Sequence, residues 1–159
     1  MEIEKERKVG ISACLIGEDC RYDGKNSLIK EIIEAIPSEK LVPVCPEVLG
    51  GLPVPRDYAE IQNGSGEDVI EGRAKVITYK GADITENYLK GAYRCLEIFK
   101  KEGVKFAIFK SKSPSCGVGQ IYDGTFSKRL KEGNGVTTAL LIKNGIKVIR
   151  EEDFLKNKK

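Results

Sequence analysis

The chain of 159 residues contains no histidine. That absence removes the Cys-His and Ser-His-Asp nucleophile arrangements, the His-Glu-x-x-His zinc helix and every His-ligated metal site. There is also no apolar run near the roughly 20 residues that span a bilayer, and the start, Met1-Glu2-Ile3-Glu4-Lys5-Glu6-Arg7-Lys8, is charged where a secretory leader is apolar. The sequence therefore predicts a soluble, cytoplasmic protein with no membrane partner. Neither a Gly-x-Gly-x-x-Gly nor a Gly-x-x-x-x-Gly-Lys loop is present, which agrees with chemistry that needs no nicotinamide or flavin. Charge is not blocked into a basic face. The 27 basic and 24 acidic residues are dispersed and leave a formal net charge of +3, so no nucleic-acid footprint is expected. The basic tail Lys156-Asn157-Lys158-Lys159 reads as a frayed terminus.

What the chain does have is five cysteines. A domain of this length buries roughly two thirds of its unfolded surface and needs no disulfides to fold. In a reducing cytosol such cysteines are metal ligands or catalytic thiols. Three of them sit in turn-prone peptides, Ala13-Cys14-Leu15-Ile16-Gly17, Val44-Cys45-Pro46-Glu47 and Ser113-Pro114-Ser115-Cys116-Gly117, each directly after a short β-branched or apolar run. Strands end there. In open α/β sheets the ligand crevice lies outside the carboxyl ends of the strands, so three thiols distant in sequence can converge. Cys95, midway along a helical apolar stripe, reads as a buried filler. Cys20 shares a loop with Cys14 and is a fourth ligand, a resolving thiol or a bystander.

Three convergent thiols leave an iron-sulfur cluster, a zinc ion or a redox pair. Structural zinc closes its shell with four ligands, usually from Cys-x-x-Cys pairs, and the chain has no such pair; a 4Fe-4S cluster suits three thiolates better. One iron would then keep an open position and act as a Lewis acid. Glu47, two residues after Cys45, is the carboxylate placed to serve as general base in a chain without histidine, although one acidic residue is equally at home capping a helix. Ser111, Ser113 and Ser115 crowd the Cys116 loop, where hydroxyls hold a polar substrate or satisfy turn backbone. Arg21, Arg56 and Lys112 can offset thiolate charge.

Periodicity gives the frame. Val9 to Ala13 reads as a strand; Ser27 caps a helix over Leu28 to Ala35 that Pro37 ends; Leu41 to Cys45 is a strand in which Pro43 argues for a position near an edge or a local bulge. Tyr58 to Gln62 and Ala74 to Tyr79 flank a polar segment as a small β insert. Asp83 or Thr85 opens the longest helix, with Ile84, Tyr88, Leu89, Ala92, Cys95, Leu96 and Phe99 as its stripe and Gly103 as its stop. Lys105 to Lys110 is a strand, Thr137 to Asn144 a helix and Lys147 to Arg150 the last strand. This order predicts an α/β fold, a single layered domain over residues 1–159 with a mostly parallel sheet flanked by helices.

The peptides Cys14-Leu15-Ile16-Gly17 through Arg21-Tyr22-Asp23-Gly24, Cys45-Pro46-Glu47 through Gly50-Gly51-Leu52 to Pro55-Arg56, and Lys112-Ser113-Pro114-Ser115-Cys116-Gly117 resemble the thiouracil desulfidases in their short form. Ile121-Tyr122-Asp123-Gly124-Thr125-Phe126 and Gly133-Asn134-Gly135-Val136-Thr137 extend the resemblance, which covers about residues 9–149. It implies an enzyme that removes sulfur from 2-thiouracil or a related thiolated nucleobase and releases hydrogen sulfide without net redox change. It implies a 4Fe-4S cluster on Cys14, Cys45 and Cys116, loaded by iron-sulfur assembly machinery. The open iron would take the substrate sulfur, Glu47 would activate water and Ser113 would assist. The alternative from another class is a non-catalytic iron-sulfur, sulfide or persulfide carrier.

Overall fold

The first strand, β1 (Val9–Ser12), reads Val-Gly-Ile-Ser. Its side chains alternate between two faces, and both faces are buried, as expected for a parallel strand covered on each side. It pairs in parallel with β2 (Leu41–Val44) through Val9 opposite Leu41 to Ser12 opposite Val44. On its other side it pairs in parallel with β5 (Phe106–Phe109), and β5 pairs in parallel with β8 (Lys147–Arg150). The central sheet thus runs β2-β1-β5-β8, all parallel, and the predicted mostly parallel α/β sheet is present in this computed structural model, which describes residues 7–156. The charged start up to Glu6 and the tail from Asn157 lie outside the described residues. No helix among the described residues is long and apolar enough to cross a membrane.

Two apolar clusters sandwich this sheet. Val42, Val44, Ala107, Phe109 and Val148 face a cluster completed by two helices, α4 (Thr85–Glu102) and α5 (Val136–Lys143). Ile11 and Ile108 face the other way, toward Leu15 and Ile32 and the flanking Phe154. Ile32 belongs to α1 (Lys30–Ala35) and Phe154 to the last helix, α6 (Glu151–Lys156). Gly10 is the sheet position that makes room for Phe99: a Cβ there would stand 2.2 Å from the ring carbon Cζ.

The small β insert is also as expected, with β3 (Ala59–Gln62) antiparallel to β4 (Lys75–Thr78). The polar segment between them contains a short helix, α3 (Gly66–Ile70), which the periodicity did not predict; its signal was the capping box in which Ser65 and Asp68 satisfy each other's backbone. A second hairpin, β6 (Gln120–Tyr122) with β7 (Leu130–Glu132), was likewise not foreseen. The helix expected from Leu28 starts only at Lys30. Ser27 and Ile29 donate their N–H groups to Cys14 O and Leu15 O at 2.9 Å, and the Ser27 hydroxyl accepts from Arg21, so the backbone stays extended and the expected cap is engaged elsewhere. Leu28 and Ile33 are exposed and only Ile32 of that helix is buried.

One contact positions the functional region. The short helix α2 (Pro46–Leu49) docks on the start of α4 with backbone against backbone: a Cβ on Gly91 would lie 1.9 Å from Pro46 O, and one on Gly50 would lie 2.0 Å from Asn87 O. Asn87 Nδ2 seals the contact by donating to Gly50 O at 2.8 Å. Neither glycine tolerates a methyl group. Gly91→Ala is expected to destabilise the fold by roughly 1–3 kcal/mol, the usual cost of overpacking. Urea denaturation measures this, and a stability unchanged within error would show that the two helices can separate freely.

Candidate functional site

The carboxyl ends of β2, β1 and β5 lie side by side on one edge of the sheet, at the point where the strand order reverses around β1. This is the crevice in which open parallel sheets bind ligands. Each of the three ends carries a cysteine. Cys14 lies in the 3-10 turn Ala13–Ile16 that follows β1, Cys45 caps α2 directly after β2, and Cys116 lies in the loop after β5. All three line one cavity of about 310 Å³, together with Cys20, Glu47 and Ser113. Cys95 lies elsewhere, fully buried in the core cluster of α4. Among the described residues no three Cys, Asp or Glu side chains are grouped as ligands of one metal ion.

The loops that carry the thiols are held tightly. The Cys116 loop is clamped to the start of α5: Val136 N–H donates to Pro114 O at 2.8 Å, Thr137 N–H to Ser115 O at 3.0 Å, and the Thr138 hydroxyl to Cys116 O at 3.0 Å. At the end of β8, the buried Glu151 accepts the Ser111 N–H at 2.8 Å and the Ser111 hydroxyl at 3.2 Å. Lys110 Nζ stands 3.5 Å from the same carboxylate. Of the three serines singled out from sequence, Ser111 is therefore bound to Glu151 and Ser115 is bound to Thr137 at 2.9 Å. Ser113 differs. Its oxygen accepts the N–H groups of Ser115 and Cys116 at 3.2 and 2.6 Å, which leaves its hydroxyl hydrogen for another acceptor.

Glu47 sits in the first turn of α2 with its side chain 12% exposed. Cys45 Sγ is 3.8 Å from Glu47 Oε1 and 3.6 Å from Cys20 O. The other carboxylate oxygen, Oε2, is 3.8 Å from Arg56 Nη2, and that guanidinium also donates to Cys20 O at 2.9 Å and Pro53 O at 3.3 Å. Burial, with the Glu47 charge second, pushes the Cys14 thiol up to about 12. Burial followed by Glu47 likewise holds Cys116 well above the usual thiol range, while the Ser12 hydroxyl beside it pulls the other way. Cys45 is raised first by its contact with the Cys20 side chain and then by burial. Unaided, these thiols are neutral at pH 7. A bound metal is what converts such groups to thiolates.

The donor set fits a thiophilic centre: three sulfurs from three adjacent strand ends around one chamber, no imidazole in the chain, and Arg21, Lys110 and Lys112 in the same wall to balance thiolate charge. Sequence reasoning did not single out the rest of the wall. Tyr22, Tyr58 and Tyr122 line the cavity as an edge-to-face set, with ring centroids 5.4 Å apart for Tyr22 and Tyr58 and 6.1 Å for Tyr58 and Tyr122. Tyr58 is anchored on the buried Glu60, which accepts its hydroxyl at 2.6 Å and the N–H groups of Gly124 and Phe126 at 2.9 and 3.1 Å.

The family model described as 2-thiouracil desulfurase matches residues 9–153, nearly the whole chain. The chain belongs to the 2-thiouracil desulfurase family. A relative, the uncharacterised protein YbbK of Bacillus subtilis (strain 168), is 46% identical over 144 residues, which is 91% of this chain and 95% of YbbK. The solved structure of TudS, a [4Fe-4S]-dependent thiouracil desulfidase, superposes with a TM-score of 0.81 at 38% identity and covers 95% of each chain. The 2-thiouracil desulfurase family assignment and the parallel sheet agree with the fold and the resemblance read from the motifs.

Proposed function

We propose that this protein is a desulfidase that takes sulfur from 2-thiouracil or a related thiolated nucleobase, with a 4Fe-4S cluster held by Cys14, Cys45 and Cys116. The observation that carries this reading is the meeting of those three thiols and Glu47 in one cavity at the switch point of the sheet. Family membership and the likeness to TudS support it. Bound there, the cluster supplies an iron with an open position, a Lewis acid for a thiocarbonyl sulfur.

The chain's own residues do the rest. The Tyr22, Tyr58 and Tyr122 rings offer faces and edges for a planar heterocycle. Glu47, oriented by Arg56, takes a proton from a water that adds to the thiocarbonyl carbon. The Ser113 hydroxyl gives the hydrogen that its own loop does not use to a heteroatom of the substrate. Carbon–sulfur cleavage then balances as thiouracil plus water giving uracil plus hydrogen sulfide, with no electrons gained or lost.

Anaerobic reconstitution with iron and sulfide, followed by incubation with 2-thiouracil, tests the whole reading. The expected result is about four irons and four sulfides per chain, the stoichiometry of a 4Fe-4S cluster, a broad visible absorption band, and stoichiometric appearance of uracil and sulfide. A protein that loads no iron, or one that loads it and leaves thiouracil intact, would overturn the reading.

A further inference from the structure

Tyr88 falls on the apolar stripe of α4, one turn before Ala92 and in line with Cys95 and Phe99, and its ring is buried with 4% exposure. Its hydroxyl behaves differently from the ring. A buried phenol ordinarily finds a hydrogen-bond partner, as Tyr58 does on Glu60. Tyr88 has no such partner among the described residues, yet no fully buried side-chain oxygen or nitrogen there is left orphaned. The Tyr88 oxygen is therefore not fully enclosed, and Tyr88 lines the wall of the thiol cavity. The groups that share this wall with Tyr88 are those of the reacting end: Glu47, Arg56, Cys116 and Cys45. The Gly50–Gly91 contact presses α2, which carries Glu47, onto α4, which carries Tyr88.

We propose that the Tyr88 hydroxyl donates a hydrogen bond to the oxygen of the water that Glu47 deprotonates, and keeps that bond as the same oxygen becomes the product carbonyl. The inference rests on the desulfidase reading above. A water has two hydrogens and two lone pairs. Here one hydrogen goes to Glu47, one lone pair takes the Tyr88 hydrogen, and the second lone pair is left to attack carbon. Arg56 has two of its N–H groups engaged, on Cys20 O and Pro53 O, and stands 3.8 Å from Glu47 Oε2. Burial, reinforced by the Glu47 charge, holds the phenol well above its ordinary range, so it remains a neutral donor at working pH. A donor aimed where oxygen gains charge acts most strongly in the transition state.

Tyr88→Phe removes the hydroxyl and keeps the ring in the core. In the anaerobically reconstituted protein, iron and sulfide content and Tm are expected to match the parent, and KM for 2-thiouracil to stay within a factor of about 3, because the ring and the sulfur still bind. kcat is expected to fall roughly 10- to 100-fold, the weight of one lost hydrogen bond to a reacting group. Calorimetric affinity for uracil, which carries the product oxygen, should weaken by a similar factor. Unchanged kcat and unchanged uracil affinity overturn the proposal, and so does a variant that loses iron or Tm, which would make the hydroxyl structural. If the parent releases no sulfide, the desulfidase reading fails on its own. Weaker uracil binding by Tyr88→Phe then still supports a Tyr88 bond to the ligand oxygen, and equal binding, or a parent that binds no uracil, overturns it.

Discussion

Single replacement of Cys14, Cys45 or Cys116 by Ala is expected to abolish cluster loading, whereas Cys95→Ala should leave it intact. The contrast follows from position. The first three thiols stand at three neighbouring strand ends around one chamber, and a cluster carried by three cysteines has no spare protein ligand. Cys95 has no surface in that chamber and is a small apolar filler between α4 and the sheet. Its loss should cost on the order of 1 kcal/mol in chemical denaturation and nothing in iron content. Iron and sulfide analysis with a visible spectrum after anaerobic reconstitution reads both arms. Full cluster content in Cys116→Ala, or its loss in Cys95→Ala, would end the ligand assignment. Cys20 is informative in the same assay because it lines the cavity beside Cys45.

Glu47→Gln is expected to retain iron, sulfide and substrate binding while desulfidation of 2-thiouracil falls by roughly two to four orders of magnitude, the weight of a lost general base. The substitution is close to isosteric. Arg56 keeps its bonds to Cys20 O and Pro53 O when the charge at residue 47 is removed, so the loop that closes this side of the chamber remains in place. Cys45 sits 3.8 Å from the carboxylate, which makes cluster content the necessary control. A carrier of iron-sulfur or sulfide would keep its function in this variant, so the measurement also separates an enzyme from a carrier. Turnover within a factor of a few of the parent, or loss of the cluster, would show that Glu47 is structural or a ligand.

The sequence made the sheet and the thiols legible for one reason: both are written in short local runs. Val9–Ser12, Leu41–Val44 and Phe106–Phe109 are apolar and end in turn residues, and of the edge or bulge that Pro43 suggested, β2 takes the edge. Where interaction with distant backbone overrides local pattern, legibility stopped. Leu28 and Ile29 have helical spacing, but Ile29 donates its N–H to Leu15 O and the segment remains extended. The β6–β7 hairpin is three residues on each side, too short for an alternation to register. Tyr88 shows the limit at the site itself. Its place in an apolar stripe assigned it to the core, and it is buried there, but only the three-dimensional structure shows that it also lines the cavity. Ser111 and Ser115 fail in the opposite direction: they crowd the right loop, yet Glu151 and Thr137 from elsewhere in the chain engage their hydroxyls.

Strand order also dictates when the chamber can come into being. β1 and β2 are neighbours in sequence and in the sheet, so Cys14 and Cys45 can be set side by side early in synthesis. The third wall arrives only when β5 inserts on the far side of β1, and its cysteine is fixed only after α5 has supplied the amides that clamp the Cys116 loop. A nascent chain that stops short of Val136–Lys143 has two thiols poised and the third untethered. Whatever the chamber receives must therefore wait until the chain has been made as far as α5, and, by binding only the completed arrangement, it would lock the late-arriving half of the fold to the early one.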